Sequence, residues 1–156
     1  IGDDGEKFSP ESIEEALVQH SKFIEQCVLY NNQNAYTTAL IYPNVQAVKS
    51  WLAAKNKSVQ DEDTANEVIQ LIKSQVDHFL AGGKFEDMFP HRWLPATFAL
   101  IDEGFTEENR MMNSTLKLVR PKIHEQFDER IKHMYTPQGK VLTNELNLKT
   151  VRNLLK

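Results

Sequence analysis

The chain has 156 residues, a length that suits one domain with a single core. It is 40% hydrophobic and 26% charged, the balance of a globular protein, which excludes disordered and fibrous classes. A net charge of −4 with no run of Lys or Arg argues against a nucleic-acid partner, although one well-placed lysine suffices for a nucleotide phosphate.

In chain order, Gly2-Asp3-Asp4-Gly5 reads as a turn after Ile1, as if the chain opened inside a longer polypeptide. Ser9-Pro10-Glu11 predicts a helix start: serine can cap free N–H groups, proline suits the first helical position and Glu11 complements the positive helix end. Ile13, Ala16, Leu17 and His20 follow at helical spacing. The β-prone run from Phe23 to Tyr30, the polar break at 31–34 and the run from Tyr36 to Tyr42 predict an antiparallel hairpin closed by Pro43. Asn44 is placed to cap a helix carrying Val45, Val48, Trp51 and Leu52. A longer helix with Val68, Leu71, Ile72, Val76 and Phe79 on one face is expected to stop at Gly82-Gly83.

Residues 84–95 read as an ordered loop and 97–101 as a third short strand. An irregular polar stretch from Asp102 to Ser114 follows. Pro121 opens a helix with Ile123, Phe127, Ile131 and Met134 inward, and a tail helix is expected within 136–156, over 144–155. The fold class is therefore α+β: a small, largely antiparallel sheet with a hairpin, flanked by about five helices in one domain over 1–156.

Most chemistry-bearing residues offer no motif. Cys27, the sole cysteine, sits in the apolar run Cys27-Val28-Leu29-Tyr30 and reads as a buried, inert thiol in a reducing, cytoplasmic setting. His20, His78, His91, His124 and His133 form no i,i+4 pair, so no metal site is expected. Neither a Gly-x-Ser-x-Gly elbow nor a complete phosphate loop is present, and Gly82-Gly83-Lys84 reads as a helix stop. No apolar stretch approaches the ~20 residues that cross a bilayer. Two segments stand apart. Gly5-Glu6-Lys7-Phe8-Ser9-Pro10-Glu11-Ser12-Ile13-Glu14 is a glycine turn feeding a capped helix. Asn113-Ser114-Thr115-Leu116-Lys117-Leu118-Val119-Arg120 sets a lysine and an arginine three apart before a helix, where they could hold an anion or simply be solvated.

In this order, the two segments resemble the C-terminal domain of the adenylate-forming superfamily, nearest the AMP-forming long-chain-fatty-acid–CoA ligases. That domain opens with Gly-Glu-(Lys/Asn)-x-x-Pro-x-x-Ile-Glu, matched here by Gly5, Glu6, Lys7, Pro10, Ile13 and Glu14. Its late lysine motif, Thr-x-Thr-Leu-Lys-x-x-Arg in the long-chain ligases, is similar to Ser114 to Arg120. Many members write a glycine before the lysine, where this chain has Leu116. Thr136-Pro137-Gln138-Gly139-Lys140 mimics that glycine form, but Thr143 stands where arginine belongs.

The resemblance implies a mobile lid on a larger ligase, with the N-terminal adenylation domain of the same polypeptide as partner. It implies fatty acid, ATP and coenzyme A as substrates, with Mg2+ in the parent enzyme and none of these bound to this chain alone. Lys117 would be the adenylation residue, with Lys140 the runner-up. Arg120 and Thr115 would support the nucleotide, and Gly5, Glu6 and Lys7 would line the coenzyme A channel. The 156 residues alone are expected to be inactive. The parent could sit in the cytoplasm or at a membrane periphery. A non-catalytic module of similar fold, and a lid serving another acid or a carrier-protein thiol, remain the alternatives.

Overall fold

Proline at a first helical position forfeits no hydrogen bond, and helix α1 (Pro10–Gln19) begins there. The computed structural model describes residues 9–31 and 35–156. Ser9 stands at the cap position, but its hydroxyl lies 3.1 Å from the Ser12 hydroxyl and makes no cap bond. Strands β1 (Ile24–Tyr30) and β2 (Thr38–Pro43) pair antiparallel, with Cys27 opposite Ile41 and Tyr30 opposite Thr38. Asn44 Oδ1 accepts from Ala47 N at 3.2 Å and caps helix α2 (Val45–Ala54). Helix α3 (Thr64–Asp77) ends five residues before Gly82, and the intervening turns carry Phe79 into the core.

The third strand, β3 (Thr97–Leu100), joins β2 in parallel, so the sheet is mixed, in the order β1-β2-β3. A two-residue turn can join only antiparallel neighbours. The α2–α3 excursion between β2 and β3 supplies the long crossover that a parallel pair needs. The periodic stretch after Pro121 breaks at Phe127 into α4 (Arg120–Gln126) and α5 (Asp128–Met134). A one-turn helix, α6 (Pro137–Lys140), and α7 (Glu145–Leu154) complete the chain. The described residues thus hold seven α-helices, more than the periodicity alone suggested.

Helices cover both faces of the sheet. Cys27, Leu29, Ala39, Ile41, Phe98 and Leu100 face a core shared with α1, α2, α3 and α7. Val28, Leu40, Ala99 and Ile101 face a second core with Phe105, Met111, Ile123, Ile131 and Met134. Burial on both sides explains why the strands read as continuous apolar runs rather than alternating ones. Cys27 is buried, and burial pushes its thiol well above the ordinary range. Its thiolate is the reactive form. Cys27 is therefore expected to resist alkylation in the folded chain and to react fully in denaturant, as mass spectrometry of iodoacetamide-treated protein would show.

Each outer edge of the sheet is closed by one buried polar side chain. On the β3 edge, Asn147 Oδ1 accepts from Leu100 N at 2.9 Å and from Arg130 Nη2 at 2.7 Å. Its Nδ2 donates to Phe98 O at 3.1 Å and to Leu142 O at 2.8 Å. On the β1 edge, Glu14 Oε2 accepts from Leu29 N at 2.6 Å. This second contact also positions the site described next.

Candidate functional site

The lysine segment forms a tight hairpin. Met112 bridges Leu118 antiparallel, Asn113 N donates to Lys117 O at 2.9 Å, and Leu116 N donates to Asn113 O at 2.9 Å. Such a three-residue loop needs a left-handed residue after its turn, a place that favours glycine. Leu116 fills it with φ 62°. For an L-residue this conformation costs roughly 1–2 kcal/mol.

Asn113 orders the turn from within. Its Oδ1 accepts from Thr115 N at 3.0 Å, from the Thr115 hydroxyl at 2.7 Å and from Lys117 N at 3.1 Å. The Thr115 hydroxyl is thereby engaged inside the loop. Lys117 is exposed at the tip, and among the described residues no carboxylate pairs with it.

Arg120, at the start of α4, reaches back to α1. Its Nη1 and Nη2 donate to Glu14 Oε2 and Oε1 at 2.9 and 2.6 Å, a bidentate pair, and Glu11 Oε1 lies 3.7 Å from Nη2. Burial pushes the Glu14 carboxyl above the ordinary carboxylate range, and the guanidinium and the Leu29 amide pull it back. The Glu14 side chain is only 6% exposed and that of Arg120 is 25% exposed, so removing the arginine strands a buried charge. Breaking such a pair from one side costs about 3–5 kcal/mol, and the partial exposure of Arg120 trims this to about 2 kcal/mol. Arg120→Ala is expected to lower chemical-denaturation stability by that amount. The deficit should shrink as the pH is lowered from 7 towards 5. A carboxyl whose folded pKa is raised favours its protonated form in the fold, so acidification relieves the stranded charge.

Between α1 and the hairpin runs a groove of about 720 Å³. Lys117, Leu116 and Met112 form one wall and Glu11, Glu15 and Val18 the other, over Gln26 and Cys27 of β1. Three of these features were hidden in the sequence: the Glu14–Arg120 pair, the Asn113 scaffold and the left-handed leucine. Opposite charges in the two motifs were the available signal for the pair, but their 106-residue separation concealed the contact. Asn at the start of a turn was the available signal for the scaffold.

The second lysine has different surroundings. Thr136 Oγ1 accepts from Gly139 N at 3.1 Å and caps α6, while the Gly139 backbone packs so closely on His133 O that no Cβ would fit. The glycine of that segment therefore answers to packing. Lys140 Nζ lies 4.8 Å above the Tyr36 ring. Tyr36 precedes β2 at the Tyr30 end of the sheet, whereas the Lys117 groove lies at the Gln26 end. The two lysines do not share a site. Gly5, Glu6 and Lys7 lie outside the described residues. Among the described residues no three His, Cys, Asp or Glu side chains gather as a metal site requires, and no helix is long and apolar enough to cross a membrane.

The model of the family described as AMP-binding enzyme C-terminal domain matches residues 3–80, half of the chain. Fatty acyl-CoA synthetase B of Dictyostelium discoideum is 26% identical over 85% of this chain, and the chain spans 19% of that protein. Long chain acyl-CoA synthetase 6, peroxisomal, of Arabidopsis thaliana is 29% identical over 86% of the chain, again at 19% of its length. Long-chain-fatty-acid–CoA ligase 6 of Mus musculus is 25% identical over 84% of the chain and 18% of its own length. The chain thus spans about a fifth of the curated relatives it matches. Among solved structures, the adenylation domain of a carboxylate reductase from Mycobacterium chelonae superposes with a TM-score of 0.64 at 21% identity, covering 80% of this chain and 17% of that one. The A-PCP didomain of a carboxylic acid reductase from Segniliparus rugosus, solved with AMP, gives 0.62 at 21% identity over 85% of this chain and 16% of that one. These likenesses bear out the α+β fold expected from the sequence.

Proposed function

Because the chain belongs to the family of AMP-binding enzyme C-terminal domains, we propose that it is the mobile lid of a ligase that joins a long-chain fatty acid to coenzyme A through an acyl-adenylate. The names of its relatives, among them two long-chain enzymes, support that substrate class. In this reading the larger N-terminal adenylation domain of the same polypeptide holds the acyl pocket and most of the nucleotide site.

Adenylation brings a carboxylate against the α-phosphate of ATP, two anions that repel. An ammonium set between them offsets that repulsion and stabilises the charge spreading in the transition state. The observation that carries the proposal is the presentation of Lys117: exposed on a tight hairpin, its amide held by Asn113, its trailing end tied to α1 through Arg120 and Glu14. A lysine held this way keeps its backbone fixed while its four-carbon stem reaches a partner surface. Arg120 and Thr115 then act by shaping the loop, and their direct role towards the nucleotide is secondary. Magnesium would shield the phosphates of ATP, with ligands from the rest of the polypeptide. After adenylation the lid turns, and the Gly5-Glu6-Lys7 segment lines the coenzyme A channel, where a residue without Cβ allows close backbone approach.

The test compares two variants of the full-length polypeptide, Lys117→Ala and Lys140→Ala, in acid-dependent exchange of pyrophosphate into ATP. Loss confined to the first is expected. Loss confined to the second would move the adenylation residue to the other end of the sheet, and loss in neither would end the ligase reading of this loop.

A further inference from the structure

Leu116 combines two features that fold stability alone does not favour. Its backbone sits at φ 62°, a conformation glycine or asparagine adopts more readily, and its side chain is 66% exposed, the most exposed of the large apolar residues described. Neither strain nor exposure is offset by contacts that such a side chain would make in a core. The apolar surface continues beside it through Leu118, Met112 and Val18 along the groove. Strain that the fold itself does not repay points to a use outside the fold.

Resting on the reading of Lys117 as the adenylation residue, we infer that Leu116 is a positioning residue that seats in an apolar recess of the adenylation domain when the lid delivers Lys117. The occupant follows from the chain itself. About four fifths of the length of the matched relatives lies outside it, and whatever surface Lys117 enters must also receive its immediate neighbour on a loop this tight. A leucine suits an apolar recess, since its burial there is favourable and non-directional while the ammonium fixes orientation. The left-handed backbone, with Cβ narrowing the accessible angles, also holds the loop tip in one shape before docking.

Three variants separate this role from a structural one. Leu116→Gly and Leu116→Asn relieve the strain and remove the apolar side chain, while Leu116→Met keeps the apolar side chain on the same strained backbone. In the 156-residue chain, Leu116→Gly and Leu116→Asn are expected to raise the melting temperature. In the full-length polypeptide the same two are expected to lower kcat/KM for adenylation about tenfold or more and to leave acyl transfer from supplied acyl-adenylate unchanged, whereas Leu116→Met keeps most of the activity. More stable variants with undiminished adenylation would overturn the inference, as would equal loss of both half-reactions or a loss in Leu116→Met as large as in Leu116→Gly. If Lys117→Ala abolishes adenylation while Leu116→Gly does not, only the docking role falls. If Lys117→Ala is silent, the parent reading falls with it.

Discussion

Lys117→Ala in the full-length polypeptide is expected to lower acid activation by two to three orders of magnitude, the loss typical of removing one preorganised group that stabilises developing charge. The size follows from the electrostatics. A carboxylate and a phosphate approaching in a site shielded from water repel more strongly than in bulk solvent, and the offsetting ammonium gains in the same proportion. Lys117 suits this use because, among the described residues, no carboxylate holds it back, although Glu11, Glu15 and Glu25 line the same groove. Lys117→Arg is expected to restore only part of the rate, since a planar fork on a different stem cannot reproduce the geometry of a compact ammonium. Single-turnover formation of acyl-adenylate measures both variants. The fold should survive, because Lys117 makes its loop contacts through its backbone.

The second large effect concerns stability. Asn147→Leu is expected to destabilise the chain by about 4 kcal/mol, enough to unfold much of a marginal domain. Asn147 is fully buried, and its amide serves Leu100 N, Phe98 O, Leu142 O and Arg130 at once. Leucine has a similar volume, so the packing changes little while four polar partners lose their contact. Each buried group left unsatisfied costs about 1–3 kcal/mol, and Arg130, half-buried, would keep only the hydrogen bond to Thr150 and the charge of Asp102. Urea titration followed by circular dichroism reads the effect. A loss below about 1 kcal/mol would mean that water or relaxation replaces these bonds, and that Asn147 does not close the β3 edge as described.

Much of the fold was legible because local signals agreed with the global arrangement. Pro10, Asn44 and Asn144 start α1, α2 and α7, and the run around Tyr36–Tyr42 forms the central strand. The direction of β3 was not legible, since a four-residue apolar run carries no sign of whether its partner runs with it or against it. The break at Phe127 was also hidden, because its apolar spacing continues the helical stripe through a residue whose backbone leaves it.

At the site, the sequence pointed to Lys117 through motif order, yet the physical scaffold of that lysine was silent. Glu14 read as the last matched residue of the opening motif, and Arg120 as half of a basic pair that could support the nucleotide, with nothing to link the two. Their contact across 106 positions makes both motifs parts of one structure. Leu116 read as a departure from a glycine pattern; its φ of 62° is a conformation that glycine adopts readily, here occupied by a leucine. Gly139-Lys140 carried the more familiar pattern, but its glycine serves a helix-to-helix packing contact.

The most direct measurement separates the two half-reactions in Lys117→Ala, with the full-length polypeptide given either fatty acid and ATP or preformed acyl-adenylate, and coenzyme A in both cases. The account predicts near-complete loss from the acid and near-normal acyl transfer from the adenylate. Equal rates of loss from both starting points would contradict it.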